Sequence, residues 1–299
     1  MKSYLMWFLV VFLTTTSLIT AQNNLSYRLK IGDQFTVYQL ASQDIVQDMN
    51  GSKHEIKNKI EGDYTFVIEG VSDSLYDIRF KFDRFKMTAS SNLVGEIMSI
   101  NTTDSISDDD IEGKIFSQLV TTDLSMKMYK NGKIKSIEGS KALIDNMINA
   151  AGDFDEFTKE LMRESMKKEF SNKSLAQSFE QMTYIYPSEI IKKGESWTNA
   201  FEGELAAKNT WTLNNITEDD IIITGKSTII FKNSDSDVEM NLTGDMTSSI
   251  TTSLENGFVK HMSSKSVATG NSIMHNMNDT KVPTTITSNI TYKIEKHVQ

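Results

Sequence analysis

The stretch His54-Glu55-Ile56-Lys57-Asn58-Lys59-Ile60-Glu61-Gly62-Asp63-Tyr64-Thr65-Phe66-Val67-Ile68 decides the fold. Its even positions carry His, Ile, Asn, Ile, Gly, Tyr, Phe and Ile, while Glu, Lys and Asp dominate the odd ones. Period two with one mostly apolar and one mostly charged face is a strand covering a core on one side. Tyr76, Ile78, Phe80 and Phe82 continue the theme, with Asp77, Arg79, Lys81 and Asp83 between them. The phase then slips, because Phe85 and Met87 are odd, and a β-bulge near Arg84 accounts for the slip. Val238 to Leu254 and Ile286 to Ile294 alternate in the same way. Such runs far exceed the usual strand of about 5–6 residues and predict strongly curved antiparallel ribbons.

Outward from these strands, paired features imply an internal repeat. Leu29-Lys30-Ile31-Gly32-Asp33-Gln34-Phe35 parallels Ile191-Lys192-Lys193-Gly194-Glu195-Ser196-Trp197, each a Gly-acidic turn opening on an aromatic. Asn131-Gly132 and Asn256-Gly257 each fall between strand-like runs, and Asn-Gly favours the two positive φ values of a type I′ hairpin. The expected organisation is a signal peptide over 1–21, a first β-rich repeat over 22–138, a helical connector over 139–186 and a second repeat over 187–299. The extra length of the first repeat falls on the polar stretch around Asn101 to Lys114.

Between the halves the period changes. Ser140 to Ala150 reads as a short helix presenting Leu143, Met147 and Ala150. Asp153 with Glu156 makes a capping box, after which Phe154, Phe157, Leu161, Met162, Met166 and Phe170 form one apolar stripe. Ser174 to Met182 is a further helix carrying Leu175, Phe179 and Met182. The expectation is that Phe154, Phe157, Leu161 and Phe170 are buried against the sheet, because an exposed stripe of that size would aggregate.

The chain has 299 residues, a formal charge of −9, four histidines and no cysteine. An acidic surface repels phosphate backbones, so no nucleic-acid partner is expected. Zero cysteine excludes disulfides, thiolate metal sites and thiol nucleophiles. Lys2, the apolar run Tyr4 to Leu13 and Ile19-Thr20-Ala21 have the order of a secretory signal peptide, which predicts a mature chain beginning near Gln22. The run is too short to span a bilayer, and no later stretch approaches that length. Export to the periplasm or the exterior is the expected localisation.

The signal peptide, the Leu29–Phe35 turn, the helical middle and Pro187 followed by Lys193-Gly194-Glu195-Ser196-Trp197 resemble a family of uncharacterised exported bacterial proteins, the domain-of-unknown-function 6263 type. That resemblance implies export and a β-rich fold, and no chemistry. More loosely, long curved strands with helices packed on them look like periplasmic lipoprotein carriers, which hold acyl chains in an unclosed barrel.

No nucleophile elbow, phosphate loop, His-Glu-x-x-His or dinucleotide fingerprint is present. His54, His261, His275 and His297 are scattered. Asp108-Asp109-Asp110-Ile111-Glu112-Gly113 opens like a calcium loop, but its twelfth position is Leu119, so a solvated acidic turn is the better reading. Asp235-Ser236-Asp237-Val238-Glu239 has similar spacing and lacks the glycine. Met274-His275-Asn276-Met277 could offer copper(I) two sulfurs and an imidazole, though core packing is the commoner use of methionine. Trp197 and Trp211 could stack on a ligand, but alignment of Trp197 with Phe35 favours packing. Met126, Met128, Met240, Met246, Met262, Met274 and Met277 could form a deformable apolar lining, though an ordinary core under the helices is the favoured reading.

These observations predict an α+β protein, mostly antiparallel, whose two β-rich repeats form a curved sheet or unclosed barrel with a central helical segment packed on it. No catalytic, cofactor-binding or metal-ligating residue is assigned, and no cofactor is expected. The function expected is non-enzymatic binding or scaffolding in the bacterial cell envelope, with a lipid, another hydrophobic ligand or an envelope protein as partner. The competing reading is a secreted hydrolase with an unlocated carboxylate or serine site.

Overall fold

The computed structural model describes residues 25–234 and 237–298. The expected signal peptide, Asp235 and Ser236 lie outside the described residues. The chain begins in the middle of one sheet with β1 (Gln34–Met49) and steps outward through β2 (Ser52–Val71) and β3 (Leu75–Ser91). β4 (Gly95–Asn101) pairs with one end of β3, and α1 (Ile111–Thr121) leads to β5 (Leu124–Tyr129) beside its other end. The edge strand β6 (Ile134–Glu138) follows. Three helices, α2 (Ser140–Ala151), α3 (Glu156–Phe170) and α4 (Asn172–Thr183), carry the chain to the far edge, β7 (Ser196–Phe201). It then returns through β8 (Leu205–Ile216), β9 (Asp220–Ser234), β10 (Val238–Ser253) and β11 (Val259–Met274). Finally β12 (Thr280–Val298) pairs with β1. Every pairing is antiparallel, as a continuous meander requires.

The expected bulge is present. Asp63 pairs with Arg84 and Tyr64 with Phe82, so Asp83 is the extra residue that returns Phe85 and Met87 to the inner face. The sheet curls strongly. Four strands lie between β1 and β8, yet Gln43 and Leu205 line one cavity. β6 and β7 do not pair, and α4 with its exit segment bridges them. Glu180 Oε1 accepts from Ile134 N at 2.9 Å, and the Tyr184 carbonyl accepts from Asn199 Nδ2 at 2.7 Å. The barrel is therefore unclosed, with a helix where a strand pair would seal it.

One end is capped by the segments that precede β1 and β7. Tyr27 N donates to Lys130 O at 2.9 Å, Arg28 N to Asn256 O at 2.8 Å, and Tyr186 N to Asn131 O at 3.3 Å. Leu25, Tyr27, Leu29, Ile185 and Tyr186 are buried there. The two Gly-acidic turns are built alike. Asp33 Oδ2 accepts from Lys30 N and Glu195 Oε2 from Lys192 N, both at 2.8 Å, with Gly32 and Gly194 at φ 95° and 87°.

Three expectations need correction. The Asn131 and Asn256 turns are hairpins, but only Gly132 and Gly257 have positive φ. Their loops, 130–133 and 254–258, are longer than two residues, and each Asn side chain instead accepts from the backbone N–H two residues on, Lys133 at 3.1 Å and Phe258 at 2.9 Å. The two-residue turn with both φ values positive is Asn50-Gly51, at 56° and 90°, between β1 and β2. Second, the α3 cap is Asp155, accepting from Thr158 N at 3.0 Å, in place of Asp153. Third, Phe154, Phe157 and Leu161 are exposed, at 36%, 74% and 58%. Phe157 and Leu161 sit four residues apart on one face, while Met162, Met166 and Phe170 repeat every four residues on another and pack on the core. The apolar stripe is thus two stripes. The segment around Asn101 to Lys114 also holds an element with no helical expectation, α1, whose N-cap Asp110 accepts from Gly113 N at 2.7 Å.

Candidate functional site

The inner face of the second half has two apolar zones separated by polar residues. Ser227 Oγ donates to Asn209 Oδ1 at 2.6 Å, Asn209 Nδ2 to Asn199 Oδ1 at 2.9 Å, and Ser248 and Ser264 share a hydrogen bond of 2.8 Å. Trp211 Nε1 also donates to Asn199 Oδ1 at 2.9 Å, and its ring lies over Gly225, where a Cβ would collide with it. These bonds satisfy polar atoms that would otherwise be costly inside a core. Toward the capped end this face joins the main core, where α4 contributes Leu175 and Phe179. From beside β3 and β4, α1 and α2 bring Leu119, Leu143 and Met147 to the same core. Toward the other end, Phe201, Ala207, Ile229, Leu242, Met246, Ala268 and Ile286 form a separate cluster, with Ile45, Leu205, Phe231 and Met240 against it.

Between the zones lies a cavity of about 180 Å³. Leu205, Ile229, Phe231, Met246, Ala268, Ile286 and Ile290 supply its apolar wall, and Gln43, Gln181, Ser264, Ser266 and Ser288 its polar groups. Gln181 comes from α4, so the cavity sits where sheet and helix meet. Among the described residues, no charged side chain lines it. Glu204, next in sequence to the lining residue Leu205, has its carboxyl pushed up to about 7 by desolvation and, second, by the nearby Glu169. Glu180, on the same helix as Gln181, is also raised by burial, an effect opposed by the hydrogen bond from Ile134 N.

Of the residues singled out in the sequence, Met246 lines this cavity and Met240 packs against the cluster that includes Phe201 and Ile286, whereas Met126 and Met128 are buried in the main core. Trp197 and Trp211 are buried cross-strand partners, with Trp197 Nε1 donating to Ile185 O at 3.1 Å, so both serve packing. His275 Nδ1 lies 2.6 Å from Asp279 Oδ1 in the turn after β11. His297 stacks on Phe35 with ring centroids 4.3 Å apart. His54 is hydrogen-bonded to Ser91 Oγ at 2.9 Å and Gln47 Oε1 at 3.2 Å. That serine–histidine contact has the first two members of a hydrolytic relay. Ser91 is buried, however, and its Oγ accepts from Leu93 N, so the hydroxyl faces no cleft. Among the described residues, no group of three or more His, Asp or Glu side chains is placed to hold a metal ion. No sequence signal marked Gln181, Phe231 or Ala268, because their convergence depends on the curl of the sheet.

A solved structure describing lipid–protein interactions in lipovitellin superimposes with a TM-score of 0.53 and 10% identity. The match covers 90% of this chain and 26% of that one, so the chain spans about a quarter of the lipovitellin chain. At that identity the likeness is one of fold. An outer membrane channel from Pseudomonas putida F1 matches with a TM-score of only 0.26 and 6% identity, over 90% of this chain and 97% of that one. No curated protein matches the sequence. Residues 73–259, more than half of the chain, match a family of unknown function. The chain belongs to that family, DUF6263.

Proposed function

We propose that the protein is exported to the cell envelope and binds an uncharged hydrophobic ligand between α4 and the inner face of β8–β12. The observation that carries this reading is the cavity at the sheet–helix junction, with an apolar wall that includes Met246, Phe231 and Ile286 and with no charged residue in its lining among the described residues. An apolar space of about 150 Å³ is enough to take up benzene, and the apolar wall here bounds a cavity of similar size whose glutamine and serine groups lie on its polar side. It accommodates the end of an apolar chain, and a longer chain would run out past Gln181. The thioether of Met246 lets the wall adapt to different ligands. The lipovitellin likeness supports the reading at the level of fold only. An anionic head group is disfavoured, because among the described residues no cation lines the wall.

Native mass spectrometry of protein purified from its own envelope tests this directly, with retained lipid the expected result. Ala268→Trp fills the cavity and should abolish both the retained mass and the binding of an uncharged monoacylglycerol probe. Equal retention by parent and variant would defeat the proposal. N-terminal sequencing of the same preparation tests export, with a start near Gln22 expected.

A further inference from the structure

The capped end of the sheet carries a second and larger depression of about 1100 Å³, remote from the apolar cavity in chain position and in chemistry. Arg28, Lys130, Lys133 and Lys135 border it, with Asp73 the one carboxylate in the lining and Glu180 behind Ile134, within electrostatic reach of Lys133. Four cations against one carboxylate is an unusual concentration in a chain of formal charge −9. Among the described residues, none of the four is held in an ion pair. The Arg28 guanidinium donates to the backbone carbonyls of Leu254 and Glu255. Lys130 Nζ sits 4.4 Å above the Tyr76 ring centroid, and Lys133 Nζ lies 6.0 Å from that of Tyr184. Carbonyls and ring faces orient these cations without cancelling their charge, and although Glu180 offsets part of Lys133, the excess of cations leaves the depression a positive potential.

The rest of the lining narrows the ligand class. Ser26, Ser74, Asn131 and Ser188 offer hydroxyl and amide groups, and the partly exposed Tyr129 offers a ring face. A peptide adding a strand would need free backbone donors along the edge strand β6. Ile134 N, at the groove wall, already donates to Glu180 Oε1. What remains is charge, hydroxyls and an aromatic platform in an open groove. We infer that this groove binds an anionic oligosaccharide, with Lys130, Lys133 and Lys135 meeting its carboxylates and Tyr129 stacking on a sugar ring.

Calorimetric titration of the mature chain with a hexagalacturonate, beside the neutral maltohexaose, tests the inference. The uronate should bind and weaken as salt rises, because exposed charge contacts are screened, while the neutral sugar should not bind. Lys130→Gln with Lys135→Gln should weaken the uronate at least about tenfold and lower the thermal midpoint by no more than loss of the Lys130–Tyr76 contact accounts for. Arg28 is left intact because it ties the capping segment to the 254–255 turn. If the double variant is unstable, Lys135→Gln alone replaces it, since that side chain makes no hydrogen bond or ring contact among the described residues. Equal uronate binding by parent and variant, equal binding of the neutral sugar, or tighter binding of a hexaglutamate peptide would each overturn the inference.

Discussion

Tyr27 and Tyr186 meet edge to face with ring centroids 5.1 Å apart, although one precedes the first strand and the other the seventh. Each phenol reaches across to structure far away in sequence. Tyr27 Oη donates to Thr183 O at 3.0 Å, and Tyr186 Oη bonds Gly257 O at 2.5 Å and Thr252 Oγ1 at 2.8 Å. Tyr27 thereby pins its capping segment to the end of α4, and Tyr186 pins the other to the 254–258 turn.

Tyr186→Phe should therefore destabilise the protein by about 1–3 kcal/mol, because the fully buried Thr252 hydroxyl is left without this partner. Tyr27→Phe should cost less, about 0.5–1.5 kcal/mol, since Thr183 O also accepts from Ile185 N. Urea midpoints of the two variants check the order.

Gly132→Ala should be more damaging than either. Gly132 has φ 92°, and a Cβ there would collide with Thr183 O and the Tyr27 ring. Strain and overpacking together predict a loss above about 2 kcal/mol. Gly51, at φ 90° with nothing near its Cβ position, is the control that carries the backbone strain alone.

Phe157→Ala should change stability by no more than about 0.5 kcal/mol, as expected for a surface position. Phe179→Ala should cost about 3–5 kcal/mol, because its buried ring contacts Tyr64, Phe66 and Phe80, at centroid distances of 5.8, 5.9 and 4.8 Å. Denaturant titration of both would show which helix covers the core. A large loss at Phe157 would contradict the placement of α3.

Glu204 gives a pH signature with a defined sign. Its folded pKa, about 7, lies above the unfolded carboxylate range of about 4.3. The protonated form favours folding, so its contribution is complete below the unfolded value and fades as pH rises toward and past 7. Glu204→Gln should remove that decline, leaving the variant more stable than the parent above pH 7 and no more stable at about pH 4. Thermal midpoints across this range are the measurement, and parallel curves would refute the assignment.

The duplicated appearance of the chain gains a structural counterpart in the matching turns at Gly32 and Gly194. We propose that the halves arose by duplication, with β4 and α1 as the insertion that lengthens the first.

The sequence by itself determined the strands, the bulge beside Arg84 and the presence of a helical connector. Those features depend on neighbours along the chain: alternation sets which side chains share a strand face, and one extra residue shifts the phase. It could not determine which stripe of α3 faces inward, because that depends on space already taken by Met147, Phe179 and their neighbours. Nor could it separate a two-residue Asn-Gly turn from a longer one, since loop length depends on where both flanking strands stop pairing. Only the tertiary curl brings Gln43, Leu205 and Gln181 around one cavity, and only the capping segment brings Arg28 beside Lys130. Both sites draw residues from elements distant along the chain, so no local pattern encodes either of them.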